Sequence, residues 1–154
     1  MVMMVADNAA TALFIDTNIL VYANVAEAPL HQQAISALQR AHQHGRSLWL
    51  SRQVLREFAA VRSRPQSFTH AAEPAVIVER LRFFENNFNV ADETSAVSSC
   101  LQKLIIDIPL GGKQVHDANI VATMLAFDIP TLLTHNHGDF ERYTAFITIE
   151  GITG

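Results

Sequence analysis

The chain is poor in cysteine, poor in charge and free of repeats. Its one cysteine among 154 residues is Cys100, so no internal disulfide can form and nothing points to an oxidising compartment. Charged residues make up only 17 % of the chain and hydrophobic ones 49 %, which excludes a disordered segment. Positive charge is not in excess: the formal net charge is −4 and the pI is near 5.9. A protein that holds nucleic acid by bulk charge is usually basic, so any such contact here needs a local patch. The N-terminal stretch MVMMVADNAATALFID lacks a basic n-region, and Asp7 interrupts its first apolar run. A signal peptide and a membrane span are therefore not expected, and a cytoplasmic location is. There is no low-complexity stretch and no linker long enough to split the chain. One domain over residues 1–154 is expected, with residues 1–11 as an N-terminal extension. Gly111-Gly112 breaks the chain, but no Gly-Lys-Ser/Thr signature accompanies it, so a phosphate-binding loop is not indicated.

Short apolar runs alternate with helical spacings. Ala12–Ile15 reads as a buried strand ending at Asp16, and Leu48–Leu50 as a second. Phe88–Val90, Leu132–Leu133 and Phe146–Ile149 are the remaining strand candidates. Helical period covers Pro29–His44, the segment after Ser51, Glu73–Glu85, Glu93–Ile106 and about Val115 to Phe127. Ser51 offers an N-cap for the helix through Val54, Leu55, Phe58 and Val61. Pro65–Ala72 reads as a loop. Such alternation predicts an α/β architecture with a mostly parallel sheet, in which sites form beyond the carboxyl ends of the strands.

Four acids stand out against this frame. Asp16, in FIDTNIL, sits where the first strand gives way to a polar turn. It suits either a cap for the helix through Ile19, Leu20 and Tyr22 or a functional carboxylate. Glu57 lies in the apolar stripe of its helix beside Val54, Phe58 and Val61. An unpaired carboxylate there is costly, so it needs a metal, a proton or an arginine, and Arg52 and Arg56 are near in sequence. Asp117 tops a stripe of Ile120, Val121 and Met124 near its helix's N-terminus, where the dipole favours negative charge or a capping role. Asp139 follows the strand at Leu132–Leu133 after a short turn. If the sheet sets the first and later strands side by side, all four converge. Carboxylates so gathered repel unless a cation neutralises them. All-oxygen ligation suits Mg²⁺ or Mn²⁺, and such a site supports phosphodiester hydrolysis.

At these residues the sequence resembles the PIN domains, and among them the VapC-type toxins of bacterial toxin–antitoxin pairs. The landmarks are FIDTNIL, SRQVLREF, GGKQVHDANIVATML and LLTHNHGDFERY, in that order, over roughly Leu13 to Ile149. The resemblance implies a three-layer α/β/α fold with a five-stranded, mostly parallel sheet. It places the family's four acids on Asp16, Glu57, Asp117 and Asp139, as catalytic and metal-holding residues. Thr134 matches the small polar residue at the strand end, and Asn18 the supporting asparagine of the opening motif. Asn136 stands where relatives often carry an acid, leaving the number of metal ions open, and His135, His137 and Gly138 also depart from the usual turn. The implied activity is Mg²⁺- or Mn²⁺-dependent endoribonuclease, with RNA (a transfer RNA among the candidates) as substrate. A cognate antitoxin and a homodimer are the implied partners, with no membrane contact.

Competing readings remain at this stage. One is a PIN-type nuclease in RNA processing or DNA cleavage without an antitoxin, and another is a silent binding module. A third is an HNH-like or zinc hydrolase on His135 and His137, which would face the same way on an extended segment, although no third nitrogen or sulfur ligand is at hand. Arg52, Arg56, Arg62 and Arg64 cluster in one segment, as a solvated helix face or a nucleic-acid patch. His116 reads as a helix-start residue, Trp49 as core, and Phe83 and Phe84 as packing residues or base-stacking ones.

Overall fold

The computed structural model describes residues 11–153; the expected extension at 1–11 lies almost wholly outside them. Among the described residues the chain forms five strands and seven α-helices. Strand β1 is Leu13–Ile15, β2 Leu48–Ser51, β3 Asn89–Ala91, β4 Thr131–Leu133 and β5 Thr148–Glu150. Helix α1 is Thr17–Asn24, α2 His31–Gln43, α3 Arg52–Arg62 and α4 Pro74–Asn87. Helix α5 is Ser95–Asp107, α6 Gln114–Ala126 and α7 the single turn His137–Phe140, followed by a 3₁₀ turn at Glu141–Tyr143.

The strands form one fully parallel sheet in the order β3-β2-β1-β4-β5. The chain winds outward from β1 through β2 to β3, then crosses to β4 on the other side. Strands β1 and β4 thus flank the point where strand order reverses, and their carboxyl ends open a crevice there. All three residues of each are buried because both faces of the sheet are covered, and all but Thr131 are apolar. Phe14, Ile15, Leu50 and Leu132 meet Ile19, Leu20, Val54, Phe58, Ile120 and Met124 from the helices.

Local chemistry sets the element ends. The Ser51 hydroxyl accepts from the Val54 N–H at 3.3 Å and starts α3, and Thr94 does the same for α5. Helix α6 is apolar on nearly every side, with Ala118, Ile120, Val121, Ala122, Thr123 and Met124 buried, as befits a helix enclosed between sheet and neighbours. It closes on Asp128 at φ +56°. There the Ile129 N–H bonds to the Met124 carbonyl at 2.8 Å and the Asp128 N–H to Leu125 at 3.4 Å, a Schellman arrangement.

Two strands are displaced from their sequence positions. Phe88 ends α4 instead of starting β3, because its N–H bonds back to Phe84 and its ring stacks edge-on against that of Phe84. The Tyr143 carbonyl likewise accepts from the Phe146 and Ile147 N–H groups just past the 3₁₀ turn, and β5 begins only at Thr148. Phe84 is core, packed edge-on against Phe58 at 4.9 Å, while Phe83 is exposed. Trp49 packs against Phe127 at the core's margin.

Candidate active site

Asp16 follows β1 directly and caps α1, its Oδ1 accepting from the Thr17 N–H at 2.8 Å. Capping does not account for the rest of its surroundings. The side chain is buried, and Oδ2 accepts from the Thr134 hydroxyl at 2.7 Å and from Asn18 Nδ2 at 3.1 Å. Burial pushes this carboxyl up from its ordinary 3.8 to about 6; the Thr134 and Thr17 bonds pull the other way, and the Glu57 charge adds to the rise. The cap and the candidate acid are one residue, held on three sides.

Thr134 ends β4 and is fully buried. Its single O–H proton goes to Asp16, leaving its lone pairs for the Asn136 N–H at 3.0 Å and Asn18 Nδ2 at 3.4 Å. Asn18 Oδ1 in turn accepts from the His135 N–H at 3.1 Å. The turn after β4 is thereby fastened to the start of α1, across the switch point. Thr134 is committed to orienting Asp16 and has no further proton to offer.

Glu57 lies on α3 facing the same crevice. Its Oε2 accepts from the Thr17 hydroxyl at 3.3 Å and its Oε1 from Gln53 Nε2 at 2.8 Å. The arginine pairing that sequence proximity allowed does not form. Arg52 is paired with Glu85 and Asp92, both at 2.9 Å, and Arg56 with Glu93 at 3.0 Å. These pairs tie α3 to α4 and the loop after β3, leaving Glu57 with neutral donors.

Asp117 is not a cap. It is the fourth residue of α6, whose N-cap position is Lys113, with no side-chain bond. The Asp117 carboxyl is half-buried and, among the described residues, has no hydrogen-bond donor. Burial first, then the charges of Asp16, Asp139 and Glu57, push it up from 3.8 to about 6, against a smaller opposing effect of His116. The other three acids are therefore close enough to act on it.

One cavity of about 430 Å³ is lined by Asp16, Glu57, Asp117 and Asn136. Asp139 is not among its lining residues; it is exposed on the first turn of α7 and reaches the site through its charge on Asp117. Asn136 precedes that turn and contributes no side-chain cap. The two histidines part company, since His137 begins a helix and does not extend the strand. The His135 ring meets Tyr22 edge-on at 5.9 Å. A Cβ on Gly151 would lie 2.6 Å from His137 Nε2, so that ring rests against the Gly151 backbone.

Sequence reasoning missed Gln53. It is buried, and its amide donates to Glu57 Oε1 and to the His116 carbonyl, both at 2.8 Å, while its Oε1 accepts from Asn119 Nδ2 at 2.8 Å. The His116 carbonyl can only accept, which fixes the amide's orientation. Gln53 thus locks Glu57 and couples α3 to the helix that carries Asp117. The available signal was a second polar residue one turn before Glu57 on the same apolar face.

Among the described residues, no three His, Cys, Asp or Glu side chains form a ready-made cage for a metal ion. The donor set nonetheless suits a hard cation. It is all oxygen, it includes an acid without a donor, and its charges oppose one another. Mg²⁺ in particular keeps several waters and takes only one or two carboxylates directly.

The sequence model of the PIN domain matches residues 13–145. No curated protein matches the chain. Among solved structures it is similar to VapBC2 from Rickettsia felis bound to a DNA fragment from their promoter. That match has 19 % identity and a TM-score of 0.67, covering 91 % of this chain and 98 % of the other. VapBC-1 from nontypeable Haemophilus influenzae matches at 18 % and 0.67, covering 93 % and 99 %. The sarcin-ricin loop cleaving toxin VapC20 of Mycobacterium tuberculosis matches at 16 % and 0.58, covering 78 % and 86 %. At these identities the structures establish a shared fold.

Proposed function

The chain belongs to the PIN-domain family, and from that membership we propose that it is a metal-dependent endoribonuclease, the toxin of a toxin–antitoxin pair. The observation that carries the reading is Asp117, a carboxylate that among the described residues has no hydrogen-bond donor and feels three other acids at the switch point of the sheet. Support for an antitoxin partner comes from the similar structures, several of which are toxin–antitoxin complexes. Support for RNA as substrate comes from the one that cleaves a sarcin-ricin loop. The proposed assembly is a homodimer, and the proposed setting is the cytoplasm. Among the described residues no helix is long and apolar enough to cross a membrane.

In this reading Asp16, Glu57, Asp117 and Asp139 hold Mg²⁺ or Mn²⁺, directly or through water. The ion, when bound, polarises the phosphodiester, makes an attacking water more acidic and stabilises the leaving oxygen. The protein's own contribution is alignment. Thr134 and Asn18 fix the Asp16 carboxylate, Thr17 and Gln53 fix Glu57, and the Asn136 side chain faces the same cavity.

The test is incubation of the purified protein with total RNA, with Mg²⁺ or with EDTA, and mapping of the new ends. Internal cuts that need Mg²⁺ are expected; intact RNA in both arms rejects the proposal. His135→Ala combined with His137→Ala should keep the cleavage activity, since neither ring lines the acidic cavity. Its loss would revive a histidine-based hydrolase.

Gln53→Leu should raise the Mg²⁺ concentration needed for half-maximal cleavage by about tenfold, the usual scale for residues that orient metal-holding side chains. An unchanged Mg²⁺ titration would mean that Glu57 needs no such support.

A further inference from the structure

The acidic cavity has a second wall that the carboxylate chemistry does not use. Tyr22 of α1, Val61 at the end of α3, and Arg64, Gln66 and Phe68 of the following loop line it. Glu57, Val61 and Arg64 are spaced by four and three residues. Glu57 and Val61 lie one turn apart on one face of α3, and Arg64 follows two residues past the end of that helix at Arg62.

Among the described residues, Arg64 is the only Arg or Lys lining this cavity. Its neighbours in the arginine cluster are occupied: Arg52 and Arg56 by carboxylates, and Arg62 by the His70 carbonyl at 3.4 Å. The Arg64 guanidinium is exposed and, among the described residues, makes neither an ion pair nor a hydrogen bond. What sets Arg64 apart is its place, on the wall of a pocket of carboxylates in a chain of net charge −4.

The loop that carries it is built to hold its shape. Gln66 and Thr69 exchange backbone bonds at 2.9 and 3.3 Å, and Gln66 Nε2 donates to the Val61 carbonyl at 3.0 Å. The Ala72 N–H bonds to the Arg62 carbonyl at 2.8 Å, closing the loop onto α3. Phe68 packs its partly buried ring against the core, and Tyr22 is buttressed edge-on by His135. Two aromatic rings and one free guanidinium are thus presented at fixed positions beside the acids. Stacking surfaces with an adjoining cation are how proteins hold single-stranded nucleic acid, and a cavity of about 430 Å³ falls in the range of small-ligand sites.

Resting on the endoribonuclease reading, we propose that Tyr22, Arg64 and Phe68 form a nucleotide subsite next to the cleavage site. The Arg64 guanidinium takes a phosphate of the strand flanking the scissile bond, and the adjoining base lies on the apolar wall of Tyr22, Val61 and Phe68. The acids repel an RNA backbone in proportion to their charge, and Arg64 supplies the local compensation that the overall composition does not.

The test is steady-state cleavage of a fluorescein-labelled mixed-sequence RNA oligomer in Mg²⁺ across a KCl series. Arg64→Ala should raise KM about tenfold with little change in kcat, and should flatten the slope of log KM against log salt by about 0.7, the loss of one phosphate contact on a single strand. Arg64→Lys should recover most of KM. Phe68→Leu keeps apolar contact with the core but removes the stacking face, and should raise KM about fivefold or more without altering the salt slope. An Arg64→Ala enzyme with unchanged KM and salt slope overturns the subsite while leaving the nuclease reading in place. So does a fall in kcat alone. No cleavage by the unaltered protein overturns the nuclease reading and the subsite with it.

Discussion

Asp16→Ala is expected to lower Mg²⁺-dependent RNA cleavage by more than about a hundredfold while the chain stays folded. The loss of activity follows from the position of Asp16. It is the most deeply placed of the acids, and Thr17, Asn18 and Thr134 all spend donors on it. Preservation of the fold follows from opposing contributions. Removing the cap costs about 1 kcal/mol, and the donors left behind cost about 1–3 kcal/mol. Against this, an ionised carboxyl displaced from 3.8 to about 6 by burial holds back about 3 kcal/mol at neutral pH, which the substitution releases. The terms nearly cancel, so far-UV circular dichroism should be unchanged and Tm should stay within a few degrees. Full activity in this variant would end the acidic-site proposal.

The Asp117→Asn variant should separate activity from stability. Cleavage should again fall by more than about a hundredfold, but in EDTA at pH 7.5 the variant should melt higher than the unaltered protein. Asp117 has no hydrogen-bond donor among the described residues, and burial plus the charges of Asp16, Asp139 and Glu57 raise its carboxyl to about 6. A raised acid means that the folded state binds the proton more tightly than the unfolded chain between about pH 4 and 6. Its contribution to stability therefore falls as pH rises through that window and stays low above it. The unaltered protein in EDTA should lose Tm between pH 4.5 and 7.5, and asparagine should flatten part of that slope. Mg²⁺ added at pH 7.5 should raise the Tm of the unaltered protein by mass action, and the shift should be much smaller in the variant. A lower Tm for the variant in EDTA, together with an undiminished response to Mg²⁺, would show that Asp117 is structural. The same titration sets the direction for activity, which should rise with pH through about 6 as Asp16 and Asp117 ionise.

The elements and the acids were legible in the sequence because their signals are local. Ser51 caps α3 as its position implied, the apolar period marks α3 and α6, and Leu13–Ile15 ends at Asp16 as a buried strand must end before a charge. The errors were local too. Phe88 and Phe146 looked like strand residues because aromatics favour strands, but the Phe88 N–H bonds back to Phe84, making Phe88 the extended residue that closes α4, and the Phe146 N–H bonds back to Tyr143 in a turn.

What no local reading could decide was the partnering. Arg52 and Arg56 lie five and one residues from Glu57, yet they bond Glu85, Asp92 and Glu93, and Glu57 is held by Thr17 and Gln53. Gln53 reaches Asn119, Asp16 reaches Thr134, and the Arg64 guanidinium has no partner among the described residues. Each of these depends on the order β3-β2-β1-β4-β5, which brings the ends of the first and fourth strands together. A sequence on its own determines which residues are costly to bury and where the chain turns. Which donors and charges meet them is set by contacts between residues dozens of positions apart, and those exist only once the sheet has chosen its neighbours.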